Sequence, residues 1–133
     1  MLIYCDTVIV IYYYDHVGSF NVRAANRLQA MAASNDRIAI SDLVRLEYRV
    51  KPLKLNDTVK LAEFDTFSAQ TNVRFISVSG PIFERATQIR ATYNFKLGDS
   101  IHLAAAVEAG CDLFLTNDGR LSAFAEIPVE VLP

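Results

Sequence analysis

A chain of 133 residues has the length of one domain, enough to bury roughly 65–70% of the surface its unfolded form exposes. With 52% hydrophobic and 21% charged residues it has the makings of a packed core and not of a disordered segment. A net charge of −2 gives no whole-molecule attraction to nucleic acid, and no apolar run approaches the ~20 residues of a membrane span.

The N-terminus lacks the basic-then-apolar layout of a signal peptide, so a cytoplasmic protein without membrane association is expected. Residues 2–5, "LIYC", read as a short buried strand, and a helix follows from near Thr7. Between them stands Asp6, inside the apolar run "YCDTVIV". A buried carboxylate without a partner is costly, so its position asks for an explanation. A helix near 20–33 carries apolar groups at 20, 22, 25, 28 and 31–32, and "SND" at 34–36 is a turn. "RIAI" at 37–40 is the second strand, after which Ser41 and Asp42 are good N-caps for a helix over roughly 42–50. Pro52 is expected to end or kink that helix, and another runs from about 56 to 70. This region also concentrates positive charge at Arg45, Arg49, Lys51, Lys54 and Lys60, either a solvated helix face or a patch that tracks phosphates or a partner.

"VRFISV" at 73–78 is the third strand, and "SGP" at 79–81 opens a helix with proline in its first turn. A helix over about 97–109, "LGDSIHLAAAVEA", stops at Gly110. "DLFLT" at 112–116 is the fourth strand and "VEVL" at 129–132 the fifth. Cys5 and Cys111 lie in apolar stretches and read as buried small hydrophobes. Repeated strand-then-helix units require long crossovers, hence an α/β domain over 1–133. Its expected form is a five-stranded, mostly parallel sheet with helices on both faces. In such sheets ligands gather beyond the carboxyl ends of the strands, at the point where strand order reverses. Asp6 directly follows strand one, Glu47 lies on the helix after strand two, Asp118 just follows strand four, and Asp99 is in the first turn of the helix feeding it. All four converge on one sheet edge in this layout.

Each acid alone has a plainer explanation. Asp6, Asp99 and Asp118 stand where a helix starts and suit an N-cap, while Glu47, between Arg45 and Arg49, suits a surface ion pair. Together they repel one another, and such a cluster is normally stabilised by a hard cation such as Mg²⁺ or Mn²⁺. Zinc is disfavoured because His16 and His102 are isolated and show no Cys/His ligand spacing. His102, three residues after Asp99, reads as a satisfied half-buried histidine, with support of the acids as the alternative. There is no GxxxxGK[ST], no GxGxxG and no nucleophile elbow.

The blocks "IYCDT", "ISDLVRLE" and "LGDSIHLAAAVEAGCDLFLTND", in this order, resemble those of PIN-domain ribonucleases, particularly small bacterial toxins of the VapC type. The resemblance covers essentially the whole chain, and its last block is the most specific. It implies a three-layer PIN-like fold and matches Asp6, Glu47, Asp99 and Asp118 to the family's metal-site acids. It also matches Thr7, Ser41, Thr116 and Asn117 to polar residues around that site. Val8 departs from the family, which often has a small polar residue there. The resemblance further implies an RNA substrate, an antitoxin protein that blocks the site, and a homodimer.

The expected activity is therefore a Mg²⁺- or Mn²⁺-dependent endoribonuclease, with Arg45, Arg49 or Lys51 holding the RNA backbone. Two rivals stand beside it. Phosphoryl transfer of the haloacid-dehalogenase kind needs D-x-D where Val8 stands, and a receiver domain needs a late lysine, absent after Lys96. A non-catalytic binding module would use the acids only as caps.

Overall fold

The computed structural model describes residues 1–16 and 18–133. Strand β1 (Leu2–Cys5) leads through Asp6 into α1 (Thr7–Asp15), and α2 (Gly18–Ala33) returns to β2 (Arg37–Ser41). Helices α3 (Asp42–Lys54) and α4 (Thr58–Ser68) carry the chain to β3 (Val73–Ile76). Helices α5 (Gly80–Tyr93) and α6 (Leu97–Glu108) precede β4 (Leu113–Thr116), a 3₁₀ segment (Gly119–Ala123) and β5 (Val129–Val131).

The five strands lie in the order β3-β2-β1-β4-β5, and every pairing is parallel. Ile3 of the central strand faces Ile38 on one side and Leu113 on the other. Ile3, Tyr4 and Cys5 are all buried, as expected of a strand covered on both faces, where apolar residues run on without alternating. Tyr4 stacks on Phe114 of β4 with ring centroids 5.3 Å apart, tying the two central strands together. The first two crossovers build outward from β1; the third recrosses it to reach β4. Right-handed crossovers therefore set α1 to α4 on one face and α5 and α6 on the other. The order reverses between β1 and β4, so the crevice at their carboxyl ends is the natural binding position. Among the described residues no helix is long and apolar enough to cross a membrane.

The sheet and its helices agree with the layout expected from the sequence, with three local differences. Pro52 neither ends nor breaks α3, which runs on to Lys54 with the proline buried inside it. The proline removes one donor, but Leu55 N–H still reaches Lys51 O at 3.1 Å and Pro52 O accepts from Asp57 N–H at 2.9 Å. Packing thus overrides the propensity of one residue. Helix α4 starts at Thr58, later than expected, because Asp57 caps it by accepting from Lys60 N–H at 3.1 Å. Strand β3 stops at Ile76, and the next two residues turn toward α3, where Val78 N–H is taken by Asp42 at 2.9 Å. Cys5 and Cys111 are buried free thiols, as their surroundings imply.

Candidate active site

A cleft of about 390 Å³ opens at the carboxyl ends of β1 and β4, lined by Asp6, Thr7, Val8, Ile11, Glu47, Asp99, His102, Asn117 and Asp118. All four acids singled out from the sequence reach it, from four different elements.

Asp6 is the first residue after β1 and caps α1. Its Oδ1 accepts Thr7 N–H at 2.8 Å and its Oδ2 accepts the Thr116 hydroxyl at 2.8 Å. These bonds answer the question of how it tolerates an apolar run: the residue is only 8% exposed but both carboxylate oxygens are satisfied. Thr116 is fully buried and serves two acids, since its Oγ1 also accepts Asp118 N–H at 3.1 Å. Asp118 caps the 3₁₀ segment through Arg120 N–H at 3.0 Å. The Arg120 guanidinium grips it as well, Nε at 3.0 Å from Oδ1 and Nη2 at 2.5 Å from Oδ2. That contact holds the Asp118 carboxyl below the usual carboxylate range.

Asp99 is different. Lys96, not Asp99, is the N-cap of α6, so the capping role expected as one reading does not apply to it. Burial, then the nearby charges of Asp6 and Asp118, push its carboxyl above the ordinary range. Removal from water and like charges sharing one cleft both shift a carboxyl this way. Glu47, from α3, has one oxygen held twice: Oε1 accepts from the Thr7 hydroxyl at 2.7 Å and lies 2.5 Å from His102 Nε2. His102 is 2% exposed, more deeply buried than the sequence reading supposed.

The polar residues expected around the acids divide. Thr7 and Thr116 bind acids directly. Asn117 lines the cleft and donates to the Tyr12 hydroxyl at 3.2 Å. Ser41 touches none of the acids; it caps α3 and meets the Tyr4 hydroxyl at 2.7 Å. Arg45 and Arg49 converge on Asp65 of α4, at 3.6 and 3.3 Å. Lys51 lines a neighbouring cavity of about 300 Å³ between α1, α3 and α4, which shares Ile11 and Glu47 with the cleft. Sequence reasoning missed Tyr4 and Arg120. A tyrosine within a buried strand was the available signal for the first, because a buried phenol needs a partner.

The donor set is carboxylate oxygen throughout, which suits Mg²⁺ or Mn²⁺ and not zinc. Asp99 is raised first by burial and then by the charges of Asp6 and Asp118, and a cation there would relieve that crowding, so the residues fit one. Among the described residues no three His, Cys, Asp or Glu side chains are drawn closely enough together to hold an ion as they stand. In this arrangement Asp118 is gripped by Arg120, and one Glu47 oxygen, Oε1, is held by His102 and Thr7.

Residues 3–127 match the PIN domain family, and the chain belongs to it. Its fold is shared with toxin–antitoxin proteins. VapBC2 from Rickettsia felis, bound to a DNA fragment from its promoter, matches with TM-score 0.80 at 18% identity over 100% of both chains. A toxin–antitoxin complex from Klebsiella pneumoniae matches with TM-score 0.72 at 26% identity, covering 98% of this chain and 97% of the other. VapC20 from Mycobacterium tuberculosis, a sarcin–ricin loop cleaving toxin, matches with TM-score 0.71 at 17% identity, covering 95% and 98%. Comparison with curated proteins found no significant match.

Proposed function

We propose that this protein is a metal-dependent endoribonuclease and the toxin of a toxin–antitoxin pair. The observation that carries the reading is the meeting of Asp6, Glu47, Asp99 and Asp118 in one cleft at the sheet's reversal point, with the Asp99 carboxyl raised by burial and then by the charges of Asp6 and Asp118. Asp6, Asp99 and Asp118 would hold Mg²⁺ or Mn²⁺, with Glu47 completing the set. When bound, such an ion supplies a more acidic water and neutralises charge on a phosphodiester. Thr116 keeps Asp6 oriented, and Thr7 does the same for Glu47. Arg45, Arg49 and Lys51 would hold the RNA backbone, the two arginines by leaving Asp65. The likeness to toxin–antitoxin complexes supports a cognate antitoxin as partner, and homodimerisation and a cytoplasmic location accompany the same reading.

A non-catalytic module remains the second reading because Asp6 and Asp118 both make capping bonds. Cleavage of total cellular RNA separates the two. Wild type with Mg²⁺ or Mn²⁺ is expected to degrade RNA, while wild type in excess EDTA and Asp6→Asn with metal are expected to be inert. Equal cleavage with and without EDTA would refute the metal mechanism, and no cleavage under any metal would favour the module.

A further inference from the structure

Behind Glu47 runs a chain of buried polar groups that joins strands β1 and β2 and helices α3 and α6 to the cleft. Ser41 Oγ accepts Leu43 N–H at 3.2 Å, lies 2.7 Å from Tyr4 Oη, and Tyr4 Oη lies 2.8 Å from His102 Nδ1. His102 Nε2 then reaches Glu47 Oε1 at 2.5 Å. Ser41 and Tyr4 are both fully buried, so every hydrogen in the chain must point at an acceptor.

That condition fixes the direction of the whole chain. Ser41 already accepts the backbone N–H, and its own hydroxyl hydrogen has Tyr4 Oη within reach. The Tyr4 hydroxyl is then left to donate onward, and its acceptor is Nδ1. His102 therefore carries its hydrogen on Nε2, which donates to Glu47. The opposite direction leaves the buried Ser41 hydrogen without an acceptor among the described residues and, for a neutral ring, turns a bare Nε2 toward a carboxylate. Burial keeps the Tyr4 phenol protonated and able to donate.

The consequence falls on Glu47. Oε1 receives both the His102 and the Thr7 hydrogens, whereas among the described residues Oε2 has no such donor. Oε2 instead lies beside Gly98 in the first turn of α6, where an added Cβ would stand 3.6 Å away, next to Asp99 in sequence. We propose that Ser41, Tyr4 and His102 form a directed hydrogen-bond relay that acts as a positioning device, pinning Oε1 so that Oε2 is presented toward Asp99 for a divalent cation. The role toward the cation rests on the proposed metal reading of the cleft; the relay's direction does not.

Nitrogen-15 NMR of the metal-free, full-length protein tests the direction. A protonated Nε2 beside a bare Nδ1 at His102 is expected in the wild type, with the pattern lost or mixed in Tyr4→Phe. Protonation on Nδ1 in the wild type would overturn the relay. Mn²⁺ binding, measured by titration calorimetry, tests the role. Tyr4→Phe and His102→Ala should each bind Mn²⁺ about 10- to 100-fold more weakly, the usual effect of removing a group that orients a ligand. His102→Gln, whose amide N–H can replace the Nε2 donor, should recover most of that loss, and His102→Asn, which is too short, should not. Wild-type affinity in both Tyr4→Phe and His102→Ala overturns the role. Absence of Mn²⁺ binding by the wild type overturns it together with the metal reading, while the ring signature still decides the direction.

Discussion

Thr116 shows how much the site rests on single atoms. Its hydroxyl donates to Asp6 Oδ2 and accepts Asp118 N–H, so one buried group joins the ends of both central strands. Thr116→Val keeps the shape but leaves both partners short of a hydrogen bond in a buried setting, at a cost of about 1–3 kcal/mol. Urea unfolding should show that loss as a lower midpoint with an unchanged slope, and a midpoint equal to wild type would mean water replaces the hydroxyl. At this scale the sequence was legible where residue type and position agreed. Three acids at strand ends and helix starts, with Glu47 on the helix after strand two, pointed to one cleft. The Ser41–Tyr4–His102 chain was only half legible: a tyrosine in the buried strand "LIYC" asks for a polar partner, but nothing in the sequence says that the partners are Ser41 and His102. Arg120 was hidden, since its grip on Asp118 depends on the 3₁₀ turn that brings it back two residues.

Helix α3 is the element on which sequence and structure differ most usefully. Propensity ends it at Pro52, whereas burial of the proline carries it to Lys54 and keeps the basic residues on one continuous helix facing α4. Arg45 and Arg49 are therefore not free: both share Asp65, and the pairs are exposed enough that each holds only weakly. If the helix tracks RNA, replacing Arg45, Arg49 and Lys51 by alanine should flatten the dependence of log affinity on log salt by roughly 0.7–1 unit per lost contact. Asp65→Asn, by releasing both arginines, should tighten binding. An unchanged slope in the triple variant would assign these residues to holding α3 against α4. Strand and helix types followed from periodicity, whereas the ends of α4 and β3 depended on caps and turns made by particular side chains, Asp57 and Asp42.

Across the whole molecule, the parallel order β3-β2-β1-β4-β5 brings residues 6 and 118 together although they are far apart in sequence. The central strand pair supplies a rigid floor, and the reversal of strand order leaves the crevice above it open. The fold therefore confines like charge at one edge, which costs stability in the absence of a cation. Asp99 carries a mark of that cost, because burial and then the charges of Asp6 and Asp118 set its folded-state carboxyl above its unfolded value. A carboxyl shifted this way contributes stability at low pH and loses it as pH rises through the folded value. In EDTA at neutral pH, Asp99→Asn should thus melt at or above the wild-type temperature. The difference should shrink as pH falls into the ordinary carboxylate range and the wild-type group takes up its proton.

The same pair of proteins tests the cation site itself, because a ligand raises the melting temperature only by binding the folded state. Thermal melts of wild type and Asp99→Asn, each with EDTA and with millimolar Mn²⁺, measure it directly. The wild type should gain stability with Mn²⁺ and the variant should lose most of that gain. An identical Mn²⁺ response in the two proteins would contradict a shared metal site at these acids.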